Sequence, residues 1–148
     1  MQENNSIGYH IVNAEKLIGR YILDKFNKKA QHRVSPVQVM IMKYLLKNQN
    51  KKIFQQDICD AFNLRRSTVS GILTTMEKNN IIIRENVKDD NKSKEIKLTD
   101  DVYKRANDLV KELKELDLEL LKDVNKEDLE VFMRVLKNIQ DNLKEERK

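Results

Sequence analysis

Residues 55–74 read QQDICDAFNLRRSTVSGILT. Apolar side chains stand at Ile58, Phe62, Leu64, Val69 and Ile72, and the small Cys59 falls where two helices would cross. Asn63 sits between them, at a turn where a left-handed backbone is wanted and where Asn is second only to Gly. The spacing predicts two short helices, Gln55 to Phe62 and Ser67 to Lys78, joined by Asn63-Leu64-Arg65-Arg66 and crossing steeply, as in a helix-turn-helix. At 100° per residue, Val69, Ile72, Leu73 and Met76 of the second helix point inward, while Ser67, Ser70, Gly71, Thr74, Thr75 and Lys78 lie opposite. That outer face is small, polar and free of acid, so it suits close approach to a groove. Arg65 and Arg66 add charge where the helix terminus already favours phosphate. The plainer alternative is that these Ser and Thr residues only cap a helix.

Downstream of Asn79-Asn80 the pattern changes to β-branched residues. Ile81-Ile82-Ile83-Arg84 and Glu95-Ile96-Lys97-Leu98 read as two strands around a polar run, VKDDNKSK, that carries Lys88, Lys92 and Lys94. A hairpin directly after a helix-turn-helix makes a winged helix, whose wing reaches the adjacent backbone or minor groove. Asp89 and Asp90 favour the alternative of a solvated tip of mixed charge.

Upstream, Ile7, Ile11, Ile18, Tyr21, Ile22 and Phe26 form one stripe of a helix from about Ile7 to Phe26. A polar linker, residues 27–33, precedes a second helix. Its start is marked by Ser35 as cap, Pro36 at the first position, Gln38 completing a capping box and Val34 with Val39 as the hydrophobic staple. A loop follows at residues 47–52, and Ile53-Phe54 reads as a very short strand. In the last fifty residues Val102, Ala106, Leu109, Leu113, Leu116 and Leu120 alternate four- and three-residue steps. One helix over residues 100–122 would be roughly 34 Å long. Asn125 caps a final helix in which Leu129, Phe132, Leu136, Ile139 and Leu143 repeat the seam. These stripes pack within the chain or against a second copy. The second copy fits better, because the terminal helices flank a compact middle that they cannot fully cover.

The chain has 148 residues, enough for one domain. Charged residues make up 36% and aromatics 5%, with three Gly, one Pro and no Trp, a balance that favours helix. Residues 1–50 carry 8 Lys/Arg against 3 Asp/Glu, residues 51–100 carry 10 against 8, and residues 101–148 carry 11 against 13. The first two-thirds can therefore face a polyanion, while the last third is a solvated surface. A single cysteine excludes an intrachain disulfide and suits a reducing cytoplasm. No apolar run approaches a membrane span, and no secretory signal is expected.

The order helix, capped helix, helix-turn-helix, wing, long helix, final helix resembles the MarR family of bacterial winged-helix regulators over essentially the whole chain. The resemblance is carried by Arg66-Ser67-Thr68-Val69-Ser70, by Met76-Glu77-Lys78-Asn79-Asn80-Ile81-Ile82, and by Asp90-Asn91-Lys92 with Ile96-Lys97-Leu98-Thr99. It implies an obligate homodimer built by the terminal helices, a pseudo-palindromic operator, and release by a small ligand or oxidant. Four positions depart from the family. Gly71 and Thr75 stand where members commonly place arginine, and Lys92 replaces the arginine of the usual wing Asp-x-Arg. Asn80 replaces a glycine, with the same tolerance for left-handed backbone. A bidentate guanidinium thus becomes a point charge at the wing.

The expected fold is mainly α: a winged helix-turn-helix at residues 34–99, with residues 1–33 and 100–148 forming a helical dimerisation region. The DNA-binding candidates are Gln55, Arg65, Arg66, Ser67, Thr68, Ser70, Thr74, Thr75, Lys88, Lys92 and Lys94. Ile7, Ile11, Ile18, Leu129, Phe132, Leu136, Ile139 and Leu143 are the candidates for dimerisation. Cys59, at the helix crossing, reads as a buried packing residue rather than a redox sensor. His10 and His32 are too few for a zinc site unless carboxylates complete it, and His10 is placed to border an effector pocket. No phosphate loop, nucleophilic triad or paired catalytic carboxylates can be assembled, so neither an enzyme nor a cofactor is expected. The expected function is a cytoplasmic, homodimeric regulator of double-stranded DNA, most simply a repressor. The rival is a winged helix that only binds protein.

Overall fold

The α2 helix (Pro36–Lys47) begins as its sequence dictates. Ser35 has extended backbone, its Oγ accepts the Gln38 N–H at 3.3 Å, and its own N–H donates to Gln38 Oε1 at 2.9 Å. Val34 and Val39 are buried on either side of this cap, which fixes the entry angle of the chain. The computed structural model describes residues 6–26, 33–87 and 90–145. Ahead of α2 lies α1 (Ile7–Phe26), which packs on it. Ile22 is buried, and at Gly19 a side chain would come into ordinary contact with the Pro36 ring.

After α2 come α3 (Gln55–Phe62) and α4 (Arg66–Lys78), then the antiparallel strands β1 (Ile82–Val87) and β2 (Asp90–Leu98). Their core is made by Val39, Ile41, Ile58, Val69, Leu73, Met76, Ile82 and Ile96, all nearly inaccessible. Tyr44 and Phe62 add an edge-to-face ring contact between α2 and α3. Ile53 and Phe54 do not form the expected strand. Phe54 is extended, at φ −115° and ψ 167°, and the Ile53 carbonyl accepts one hydrogen bond from the Ile96 N–H at 2.8 Å, tying the entry of α3 to β2.

The hairpin is longer than its β-branched residues indicate. Its register pairs Ile82 with Leu98, Arg84 with Ile96 and Asn86 with Lys94, with an irregularity between Asn86 and Val87. Most of VKDDNKSK is therefore strand, and Lys92 and Lys94 belong to β2 rather than to a loop tip. Backbone pairing continues past the hydrophobic residues because a solvated two-stranded ribbon needs no apolar face at its far end. Lys88 and His32 lie outside the described residues.

Two short helices follow, α5 (Asp100–Lys104) and α6 (Ala106–Leu120), where one long helix is expected. The break is Arg105, at φ −92° and ψ 6°, whose N–H bonds back to the Val102 carbonyl at 3.1 Å. The apolar stripe continues across it, so periodicity alone conceals the break.

The chain divides into two compact units, the first ending at Glu112 and the second starting at Leu113. In the second, Leu113 and Leu116 are buried, and a left-handed Asp123 precedes α7 (Lys126–Glu145). Asn125 caps α7 as expected: its Oδ1 accepts the Asp128 N–H at 2.8 Å. Among the described residues no helix is long and apolar enough to cross a membrane.

Candidate nucleic-acid interface

The turn between α3 and α4 is set by Asn63, at φ 51° and ψ 42°, and closed by the Leu64 N–H bonding to the Cys59 carbonyl at 3.0 Å. The αL residue and this six-to-one bond end α3 in the manner of a Schellman motif. The same device closes α4, where Asn80 has φ 54° and the Ile81 N–H bonds to the Met76 carbonyl at 2.9 Å. Asn80 thus performs the backbone role that a glycine would. Its carbonyl accepts the Thr99 hydroxyl at 2.8 Å, which fixes the exit of α4 to the end of the hairpin.

Between these turns α4 presents two faces. Val69, Leu73 and Met76 are fully buried and Ile72 half-buried. Ser67, Thr68, Gly71, Thr74 and Thr75 are exposed, while Ser70 is half-buried. Gly71 faces open space, so the outer surface has a notch at its middle. Not every hydroxyl on this face points outward to a partner: Thr75 Oγ1 donates to the Gly71 carbonyl at 3.1 Å within the helix. Gln55 also has a local duty, since its Nε2 donates to the Arg66 carbonyl at 3.0 Å and joins the starts of α3 and α4. Arg65 and Arg66 are exposed and make no ion pair among the described residues. Cys59 is buried at the helix crossing.

A cleft of about 270 Å³ separates the start of α4 from the hairpin, and Arg66, Arg84, Ser93 and Lys94 line it together with Gln55. Arg84 was not among the residues that composition or spacing singles out. Its guanidinium donates to Glu77 Oε2 through Nε at 2.9 Å and through Nη2, linking α4 to β1. This hydrogen bond, helped by the charges of Arg84 and then Lys94 against a smaller desolvation effect, holds the Glu77 carboxyl below its ordinary 4.5. The two-residue period of β1 contained the signal: Arg84 alternates with Ile83 and shares a face with the buried Ile82, where a cation requires a partner. Farther along the hairpin, Lys97 bonds Glu85 at 2.9 Å and lies 3.4 Å from Glu95. The Glu85 bond is the main reason its ammonium titrates above 10.5.

A second cavity of about 350 Å³ lies where the end of α2, β2 and α5 meet, lined by Leu45, Ile53, Leu98 and Tyr103 among others, with the Tyr103 hydroxyl bonded to Gln49. His10 is exposed beside Tyr9 and lines neither cavity. Among the described residues, no group of three or more His, Cys, Asp or Glu is placed to hold a metal ion.

Residues 34–94 match the model of the MarR family. No curated protein matches the chain in sequence. Solved structures share its fold. The S. aureus MepR–DNA complex is 22% identical, with a TM-score of 0.82 over 93% of this chain and 98% of that one. The PcaV transcriptional regulator from Streptomyces coelicolor, solved with its natural ligand, is 13% identical, with a TM-score of 0.77 over 95% and 96%. The transcription regulator MarR from Oenococcus oeni is 22% identical, with a TM-score of 0.74 over 92% and 99%. The chain thus carries a MarR-family sequence at residues 34–94, within a winged helix-turn-helix fold that it shares along nearly its whole length with these solved structures.

Proposed function

We propose that the chain is a cytoplasmic homodimer that binds a pseudo-palindromic operator in double-stranded DNA, represses transcription and is released by a small effector. The observation that carries this reading is the outer face of α4, small and polar and without a carboxylate, with Arg65 and Arg66 exposed at its start. In this reading Arg65, Arg66, Lys88, Lys92 and Lys94 neutralise phosphates and set the register. Ser67, Thr68, Ser70 and Thr74 meet base edges, and Gln55 and Thr75, both tied locally, act mainly by shaping the surface. Residues 34–99 bind DNA, while residues 1–33 and 100–148 pair two copies through Ile7, Ile11, Ile18, Leu129, Phe132, Leu136, Ile139 and Leu143. Two copies of α4 must stand about 34–36 Å apart to read successive half-sites. An effector acts by stabilising dimers whose spacing does not fit. The solved complexes of MepR with DNA and of PcaV with its natural ligand support both parts by analogy of fold.

The test is binding to the DNA upstream of its own gene against random duplex at moderate salt. Preference for the upstream DNA is the expected result, and equal affinity sinks the proposal. Arg66→Ala is expected to weaken binding to all duplexes and to reduce the salt slope by about one per protomer. The rival reading, a winged helix that binds only protein, draws on Gly71 and Thr75, which leave α4 without an arginine beyond its first residue. A salt-dependent mobility shift separates the two.

A further inference from the structure

We infer that the cleft between α4 and the hairpin seats one phosphodiester of the duplex, with Arg84 as its inner ligand and Glu77 as the residue that positions Arg84. The inference rests on the DNA-binding reading and adds a contact outside the recognition face. Among the described residues, three cations, Arg66, Arg84 and Lys94, line the cleft and no carboxylate does. They come from the first residue of α4 and from the two strands of the hairpin, so the charge is assembled by the fold and not by a run of sequence. Arg84 is the least exposed of the ionic groups here: its side chain retains 22% of its accessibility, against 41% for Glu77. Glu77 engages Nε and Nη2 through one carboxylate oxygen, which locks the guanidinium plane, while Nη1 has no partner among the described residues. Lys94 reinforces the same point, since its charge is felt at Glu77. Ser93 supplies a hydroxyl to the same wall. The cleft's 270 Å³ is about nine times the ~30 Å³ share of one water, room for a hydrated phosphodiester. A duplex lying along α4 and the hairpin brings its backbone across the junction of the two, which favours a strand phosphate over a free anion as the occupant.

The experiment uses the full chain and the tightest duplex that it selects from a random-sequence pool. Arg84→Gln is expected to flatten the dependence of log Kd on log salt by about one per protomer. Arg84→Lys, which keeps a cation, is expected to retain the slope, and Glu77→Gln, which keeps the guanidinium but no longer holds it, is expected to weaken binding with a slope between those of wild type and Arg84→Gln. An unchanged slope in Arg84→Gln overturns the inference. Wild-type affinity and slope in Glu77→Gln overturn the positioning role of Glu77. Should Arg84→Gln not fold, the wild-type chain labelled with 15N-arginine decides: the Arg84 Nε–H signal, assigned by its loss in Arg84→Lys, must shift on duplex addition. If it stays fixed while Arg66 moves, the cleft is empty of phosphate. Replacing chloride by inorganic phosphate at constant ionic strength is expected to leave duplex affinity unchanged, and a competitive loss assigns the cleft to free phosphate instead. If the wild-type chain selects no duplex, the DNA-binding reading falls and this inference with it.

Discussion

The α4 and α7 helices are both amphipathic, yet they leave opposite faces open. In α4 the apolar face is largely consumed inside the chain: Val69, Leu73 and Met76 are completely buried and Ile72 half-buried, and the rest of the accessible surface is hydroxyl, glycine and charge. In α7 the apolar side chains are the accessible ones, with Phe132 58% and Leu143 60% exposed, and Leu129, Leu136 and Ile139 only half-buried. The α1 helix is like α7, exposing Ile7 and Ile11. A helix whose apolar face is satisfied offers its polar face to a solvated, charged partner. One whose apolar face is open asks for a partner of the same character, because contiguous exposed apolar surface marks an interaction site. The contrast is what the proposed function needs, with DNA at the middle of the chain and a second copy at its ends.

The strongest way to break that contrast is Phe132→Asp. In the isolated chain Phe132 is exposed, so the circular dichroism of the monomer should be unchanged. In a dimer the carboxylate would be buried without a partner, and about 4 kcal/mol of lost association raises the dissociation constant roughly a thousandfold. Sedimentation equilibrium is expected to show monomers at micromolar concentration. An unaltered mass would mean that α7 is not part of the interface.

Leu73→Ala makes the opposite kind of change, in the helix whose apolar face is closed. It should leave the oligomeric state alone at concentrations where the protein is folded and lower unfolding stability by about 3 kcal/mol, from lost transfer energy and a cavity. Urea titration checks this through the midpoint, with the slope preserved. A loss under 1 kcal/mol would mean that the core around α4 collapses freely and that its exposed face is not rigidly presented.

How much of this contrast is written in the sequence depends on the kind of interaction. Local backbone chemistry is legible: Ser35 and Gln38, Asn63, Asn80 and Asn125 each do in the structure what a residue of that type does at a helix end. The inward face of α4 is legible too, because burial follows a period that can be counted. Arg105 is not, since a single residue with ψ near zero interrupts the helix while the 102–106–109 stripe runs on. The extent of the hairpin is hidden for the reverse reason, that its far end pairs backbone without an apolar pattern. Glu77 and Arg84 are seven residues apart across a turn, in a chain where more than a third of the residues are charged, so pairing them requires the fold. The same holds for Gln55, whose side chain is spent on a carbonyl eleven residues away, whereas Thr75 bonds a carbonyl one helical turn back.

Ser35→Ala sharpens the comparison at smaller scale. It removes the Gln38 N–H acceptor at the start of α2 and should cost about 1 kcal/mol in urea midpoint, with no change in mass or in salt slope. A change in either would mean that α2 is coupled to the interfaces and is not merely their support.

The smallest effect expected is the acid response of the Glu77–Arg84 pair, which ties the closed helix α4 to the hairpin. Arg84 holds the Glu77 carboxyl below its ordinary 4.5, so the unfolded chain binds a proton there more readily than the folded one. The pair therefore stabilises the fold fully above pH 4.5, and that contribution disappears as pH falls through the lowered folded value. Because Glu77 is two-fifths exposed, the contribution is below about 1 kcal/mol. Wild type is thus expected to melt slightly above Glu77→Gln from pH 7 down to about 5, and the two curves should converge in more acid solution, where the carboxyl is neutral in both states. Melting differences that are flat across this range would show that Arg84 makes no net bond to Glu77 in solution. The guanidinium would then be free to follow a phosphate rather than being held for one.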